Sequence, residues 1–439
     1  MQQSMSCLPA ISRDVDIASL SLSQLREWMQ QHGHPLYRAQ QLFEALHARG
    51  LRDVSAIAVL PQALRQQLQD AFAVYPLRVQ SVSQSQDGTR KYRMLTHDNH
   101  LIESVWIPNA SREGRHALCI SSQVGCAMGC RFCATAAIKL KRHLTAGEIT
   151  AQLHVVAQDL QATFGKNLQV PSLRPRMKSD EHLQNNSAIV QDVAMDNPSS
   201  QLRVQHSDEH LQGDSAIAQN VATGNRSSRQ TPFGGQCNVV FMGMGEPLHN
   251  CEQVMRAIGF FTHPKGLGMA ARRITVSTSG IVPAITQLMN QTGVHLAVSL
   301  NATTDEVRSQ VMPVNRKWSL QQLLDCCRAL PLPKRRRITF EYVLLAGVND
   351  SLQDARRLVK LLADLPLCRV NLIPFNSHPL SPFKRPCRED VLAFQRVLLH
   401  KGMNVFIRRT RGDDVDAACG MLGGKTLQQA RKKTPLPVL

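Results

Sequence analysis

From residue 115 to about residue 410 the chain keeps one rhythm, and few folds accommodate it. Short apolar runs rich in β-branched and aromatic residues ("HALCISS", "NVVFMGMG", "RITVSTSG", "VHLAVSLN", "ITFEYVLL", "RVNLIPF", "MNVFIRRT") are separated by stretches with apolar residues at helical spacing, such as "LTAGEITAQLHVVAQDL", "CEQVMRAIGFFT", "SLQQLLDCCRAL", "SLQDARRLVKLLADL" and "EDVLAFQRVLLHKG". Repeated strand–helix units satisfy their backbone groups as a parallel sheet with the helices packed outside it. The expected fold is therefore α/β, a barrel or partial barrel with reactive side chains at the C-terminal ends of the strands.

Two regions depart from this rhythm. The first hundred residues read as a small helical accessory unit: "SLSQLREWMQQHGHPLYRAQQLFEALHARG" has helical periodicity, a capping-type Ser before "QLREWM" and a "GHP" break, and "LPQALRQQLQDAF" continues the helical pattern. The run "GTRKYRMLTHDNHLIESVWIP" then switches to alternation about a turn, as a hairpin would. The second departure is a duplication. Residues 179–200, "SDEHLQNNSAIVQDVAMDNPSS", recur at 207–228 as "SDEHLQGDSAIAQNVATGNRSS". So polar a unit cannot bury enough apolar surface to fold alone, and residues 165–235 are expected to be a disordered, low-complexity insertion. The expected organisation is residues 1–100 as the accessory domain with its hairpin, 101–164 and 236–425 as the core, and 426–439 as a tail.

Lys and Arg number 51 against 33 Asp and Glu, a net charge of +18. The insertion carries equal numbers of each sign, so the excess belongs to the rest of the chain and points first to a nucleic-acid partner. A generally basic proteome would produce the same balance. Candidate phosphate contacts are the runs at 139–143, 334–337, 384–388 and 406–412, although each taken singly is as consistent with a solvated face. Neither a secretory leader nor an apolar run of membrane-spanning length is seen, so a cytoplasmic, reducing location is expected, without a membrane partner. There, clustered cysteines serve metals or catalysis rather than disulfide staples.

Cys126, Cys130 and Cys133 form C-x3-C-x2-C on a Gly-containing loop just after a strand run. Three thiolates so spaced can hold three irons of a 4Fe-4S cluster and leave the fourth iron open. A structural zinc site would want a fourth Cys or His nearby; Cys119 lies upstream inside the strand and His143 in a basic run. In "NVVFMGMGEPLHN" a strand enters a Gly-rich turn, where Gly245 allows close backbone approach and Glu246 can accept hydrogen bonds from an α-ammonium group. Alone, such a turn is also consistent with an exposed carboxylate.

The C-x3-C-x2-C loop on repeated βα units resembles the radical S-adenosylmethionine (radical SAM) superfamily. The ordered set "CISSQVGCAMGCRFCAT", "FMGMGEPLHN", "RRITVSTSGIVPAI", "NLIPFN" and "RTRGDDVDAACG" resembles the RlmN/Cfr family of 23S rRNA adenine methyltransferases, over about residues 20–425 apart from the insertion. The resemblance implies a partial (βα)6 TIM-like barrel holding one 4Fe-4S cluster on Cys126, Cys130 and Cys133. It implies two SAM molecules per turnover and methylation of adenine C2 in 23S rRNA, and in tRNA at the adenosine 3′ to the anticodon. One SAM methylates a cysteine by displacement. The second is cleaved to a 5′-deoxyadenosyl radical, which abstracts hydrogen from that methylcysteine so that the carbon adds to the base.

By the family's motifs Cys419 is the methyl carrier, Cys119 the thiol that resolves the protein–RNA crosslink through a transient disulfide, and Glu103 the general base. The cofactor contacts implied are Gly245 and Glu246 at the methionine amino group, Ser277, and Ser299, Leu300, Asn301 and Asn376 near the ribose and adenine. Asn301 stands where the family often has His, and Lys139 where it commonly has Gly. A separate electron donor such as flavodoxin and a monomeric state are also expected.

Overall fold

The computed structural model describes residues 14–108, 115–164, 236–332, 336–365 and 368–424, so the duplicated segment at 165–235 and the tail at 426–439 lie outside the described residues. Seven parallel strands carry the rhythm: β4 (Arg115–Cys119), β7 (Gln236–Phe241), β8 (Ile274–Thr278), β9 (His295–Ser299), β10 (Ile338–Leu344), β11 (Arg369–Pro374) and β12 (Val405–Ile407), neighbours in that order. Helices α4 (Ala146–Phe164), α5 (Cys251–Thr262), α6 (Val282–Gln291), α7 (Asp305–Val311), α8 (Leu320–Ala329), α9 (Leu352–Leu362) and α10 (Arg388–His400) connect them. The sheet begins its parallel part at β4 and ends at β12 without the two pairing, which makes six strand–helix units and a closing strand, an open partial barrel.

Strand β10 shows how the sequence builds this layer. Ile338, Phe340, Tyr342 and Leu344 all belong to the main apolar core, whereas the alternate residues Glu341 and Val343 line the interior of the curve. The periodicity of two thus sorts one strand between a hydrophobic outer face and a polar inner one. Helix α6 was not among the helical stretches singled out in the sequence; it begins with Pro283 in its first turn, where the missing N–H costs nothing.

Ahead of β4 the strands β1 (Arg78–Gln84), β2 (Arg90–Leu95) and β3 (Leu101–Ile107) extend the same sheet in antiparallel sense, with Val105 opposite Cys119. The hairpin therefore continues the catalytic sheet, and its turn at "HDNH" places Asn99 in the left-handed region at φ 61°.

Three helices precede it: α1 (Leu22–Gln31), α2 (Tyr37–Phe43) and α3 (Gln62–Ala71). The cap of α1 is Ser21, two residues before the Ser adjoining "QLREWM", and it forms a reciprocal box with Gln24. These helices are tied to the barrel by Asp16, which accepts from Ser19 Oγ and Thr145 Oγ1 at 3.0 Å each, and by His47, stacked on Phe260 of α5 at 4.1 Å. Among the described residues no helix is long and apolar enough to cross a membrane.

Candidate active site

The loops after the strands' C-terminal ends enclose a cavity of about 160 Å³ that opens to solvent. One wall is the loop carrying Cys126, Cys130 and Cys133, reached through the two-stranded ribbon β5 (Gln123–Val124) and β6 (Arg142–His143). Backbone contacts fix this loop: Arg131 N donates to Val311 O at 3.0 Å, His378 Nε2 to Phe132 O at 3.0 Å, and Ala134 N to Gly420 O at 2.7 Å. Burial pushes the Cys126 thiol up to about 12 and raises Cys130 and Cys133 as well, so without a ligand all three are neutral. A metal would displace those protons.

Among the described residues no three His, Cys, Asp or Glu side chains gather about one point as the ligands of a single ion do. Three thiols on one wall can each bind a different iron of one cluster. The opposite wall suits an amino-acid nucleoside. Gly245 sits at φ 100°, and a Cβ there would stand 2.6 Å from Gln123 Cβ, so the turn is closed to any side chain. Glu246, buried beside it, accepts from Leu248 N at 3.0 Å through one oxygen and from Ser279 N at 2.7 Å through the other. The Thr278 and Ser279 side chains hydrogen-bond to it as well. Burial raises the pKa of Glu246, and the hydrogen bond from Ser279 leads the forces opposing it. The buried Glu341 Oε2 has no hydrogen-bond partner and is left for a ligand.

Ser277 and Ser299 line the cavity. Leu300 does not: its side chain is buried in the main core, and its part in the site is its backbone N–H, which donates to Glu341 O at 3.0 Å. Asn301 reaches the cavity but commits both ends of its amide, Oδ1 accepting from Val343 N at 2.7 Å and Nδ2 facing Met312 Sδ at 3.1 Å. Asn376 also lines it and holds the C-terminal loop, with Nδ2 donating to Cys419 O at 3.1 Å.

Cys419 opens onto the same cavity, and Cys119, at the end of β4, packs in one apolar cluster with Val105, Met244, Ala417 and Leu422. Both are free thiols. Burial, and then the proximity of Cys419, drives Cys119 up to about 12, while Arg408 pulls the other way. Glu103 lies apart from the cavity. It is buried on β3, where Oε2 accepts from Gly423 N at 2.9 Å, four residues beyond Cys419, with Lys91 and Arg93 at 3.9 and 3.8 Å. Its Oε1 has no hydrogen-bond partner.

Two charged residues of the site, Arg308 and Glu341, gave no signal in the sequence, and a third, Arg408, lay in a run assigned there to phosphates. Arg308 is fully buried and donates to Ser279 O, Ser299 O, Leu300 O and Asn315 Oδ1, binding together the ends of β8 and β9. Glu341 and Arg408 both face the cavity. Arg408 belongs to a run expected to meet phosphates; it turns inward instead, with Nη1 3.7 Å from Met242 Sδ, and leaves Arg409 exposed. In the other runs, Lys139 and Lys141 are exposed while Arg142 is paired with Asp98 and Glu148. Arg336 and Arg337 precede β10 and so stand at the end of the sheet away from the cavity, unlike Lys384 and Arg385, which flank it.

An open βα barrel with a C-x3-C-x2-C loop over its strand ends defines the radical SAM class. Comparison with known proteins agrees. A crystal structure of a radical SAM methyltransferase from Sphaerobacter thermophilus superposes with a TM-score of 0.72 at 35% identity, covering 93% of this chain and 99% of the other. Residues 15–74 match the family described as ribosomal RNA large subunit methyltransferase N-terminal domain. The dual-specificity RNA methyltransferase RlmN of Geobacter sulfurreducens is 39% identical over 94% of this chain and 92% of its own length. RlmN 2 of Myxococcus xanthus is 38% identical over 96% and 94%. The chain belongs to the RlmN family.

Proposed function

We propose that this enzyme methylates C2 of an adenosine in 23S rRNA at the peptidyl-transferase centre, and of the adenosine 3′ to the anticodon in tRNA, in the cytoplasm as a monomer. The observation that supports this most is the placement of two free thiols far apart in sequence: Cys119 packs with Ala417 and Leu422, on either side of Cys419, and Cys419 lines one cavity with the three-cysteine loop. Cys126, Cys130 and Cys133 would hold the 4Fe-4S cluster, and Gly245, Glu246, Ser277 and Ser299 would seat SAM. When bound, and supplied with an electron by a donor such as flavodoxin, the pair provides both a transferable methyl group and the means of removing a hydrogen atom.

The chain's own residues do the rest. The Cys419 thiol, losing its proton to solvent, would give an electron pair to the methyl carbon of bound SAM as the sulfonium bond to that carbon breaks and its electrons stay on the departing sulfur. Asn376, through the Cys419 carbonyl, holds the methyl-bearing loop at the cavity. Once the carbon is joined to adenine, one electron would have to pass to the cluster and the C2 proton to a base; Glu103, whose Oε1 lies 3.8 Å from Arg93 Nε and accepts no hydrogen bond, would be that base. Cys119, losing its thiol proton, would then attack the Cys419 sulfur: the S–S bond forms as the bond from that sulfur to the transferred carbon breaks, and the electron pair left on that carbon takes up a proton to complete the methyl group.

Replacing Cys419 by Ala should abolish product formation while the anaerobically reconstituted protein keeps its brown cluster and still cleaves SAM. Retained methylation would remove the methylcysteine from this scheme. Mass spectrometry of RNA from a deletion strain tests the regiochemistry: 2-methyladenosine should disappear, and its persistence with loss of 8-methyladenosine would assign the C8 reaction instead.

A further inference from the structure

We propose that Glu341 is a cofactor-binding residue whose free carboxylate oxygen accepts a hydrogen bond from a ribose hydroxyl of SAM. Glu341 is 5% exposed, on the inner face of β10. Its Oε1 accepts from Asn371 Nδ2 at 3.0 Å, and its Oε2 has no partner. A buried carboxylate oxygen left unpaired costs free energy, which a donor arriving with a ligand would recover. Polar groups of the protein meet it from the neighbouring strands. Glu341 is in register with Ser299 on β9 and with Asn371 on β11, so the three stand abreast, one strand spacing apart.

Ser299 is the residue placed at the ribose in the reading above, on which this inference rests. Carboxylates are suited to ribose, since an acid facing a sugar hydroxyl is the recurring solution in dinucleotide sites. Asn371 holds one oxygen and so aims the other. Arg408, on the same cavity, opposes the rise in pKa that burial imposes on Glu341 and favours the ionised, accepting form.

Equilibrium dialysis of SAM, and of its 2′-deoxy and 3′-deoxy analogues, against anaerobically reconstituted holoprotein tests this. Cluster absorbance and thermal midpoint check integrity, and gel shift of a tRNA anticodon stem-loop measures RNA affinity. Glu341→Ala should weaken SAM by about tenfold or more, as for loss of a charge-assisted hydrogen bond, and leave RNA affinity within about twofold. The deoxy analogue lacking the contacted hydroxyl should bind wild type about tenfold more weakly than SAM, with that difference lost in Glu341→Ala. Unchanged SAM affinity in the variant overturns the proposal. So does a loss confined to RNA, which would give the carboxylate to an amino group of the target base. Should Glu341→Ala lose its cluster, Glu341→Met, of similar size and with no oxygen to accept the bond, replaces it, and discrimination between SAM and the analogues that is equal in wild type and Met variant is then the overturning result. A wild-type protein that binds no SAM would instead sink the functional reading.

Discussion

Gly245 is the residue at which the site tolerates least. Its φ of 100° and the proximity of Gln123 act together, so Gly245→Ala meets a backbone conformation and a steric obstacle that both oppose a methyl group. It should lower stability by about 2–4 kcal/mol in urea unfolding and weaken SAM by more than tenfold; SAM affinity within twofold of wild type would contradict the assignment of this turn to the cofactor. The cysteines and this turn could be recognised in the chain because their chemistry depends on local spacing. Glu341 and Arg408 could not. Within "ITFEYVLL" a single acid reads as an outward-facing position, and only the curvature of the sheet makes that side the interior of a cavity. Arg408 has the same problem, since a basic run reads alike whether it faces phosphate or closes a cavity.

The strands are joined at their reactive ends by Arg308, and this belongs to the scale of elements. A guanidinium from α7 accepts nothing and donates to the carbonyls that end β8 and β9, so it stands where further strand pairing would otherwise be. Burial lowers its pKa to about 10, still well above neutrality, so it remains charged. Arg308→Met would fill similar volume yet leave several buried acceptors unmet, and about 2–4 kcal/mol of stability should be lost, measured as a lower urea midpoint. A midpoint unchanged from wild type would show that water replaces it without cost. Most of the layer could be read from alternating periods, strand by strand, because a period of two or 3.6 is a local property. The α6 helix, with Pro283 in its first turn, and β1, an exposed edge strand, carry weaker patterns, and tertiary pairing settles them.

For the molecule as a whole, the seam between the N-terminal helices and the barrel is acid-sensitive by construction. His154 of α4 is held down to about 3 by burial and by the charge of Arg52, and His47 is lowered well below its ordinary value for the same two reasons. The unfolded chain takes up protons near 6.5 where the folded chain does not, so their contribution to stability is complete above that pH and is lost as pH falls towards 3. Each histidine can contribute a slope of up to about 1.4 kcal/mol per pH unit in that window. His154→Gln, which cannot titrate, should flatten the fall in urea stability between pH 6.5 and 5; a wild-type slope in the variant would place the acid sensitivity elsewhere.

The bond from Thr135 Oγ1 to Leu422 O, 2.9 Å long, joins positions 287 residues apart, next to the one from Ala134 to Gly420. In the order of synthesis, the three-cysteine loop precedes its covering loop by 287 positions. A chain interrupted between Cys133 and Cys419 would therefore carry the three thiols of that loop but neither the wall that closes over them nor the Cys419 thiol that opens onto the same cavity.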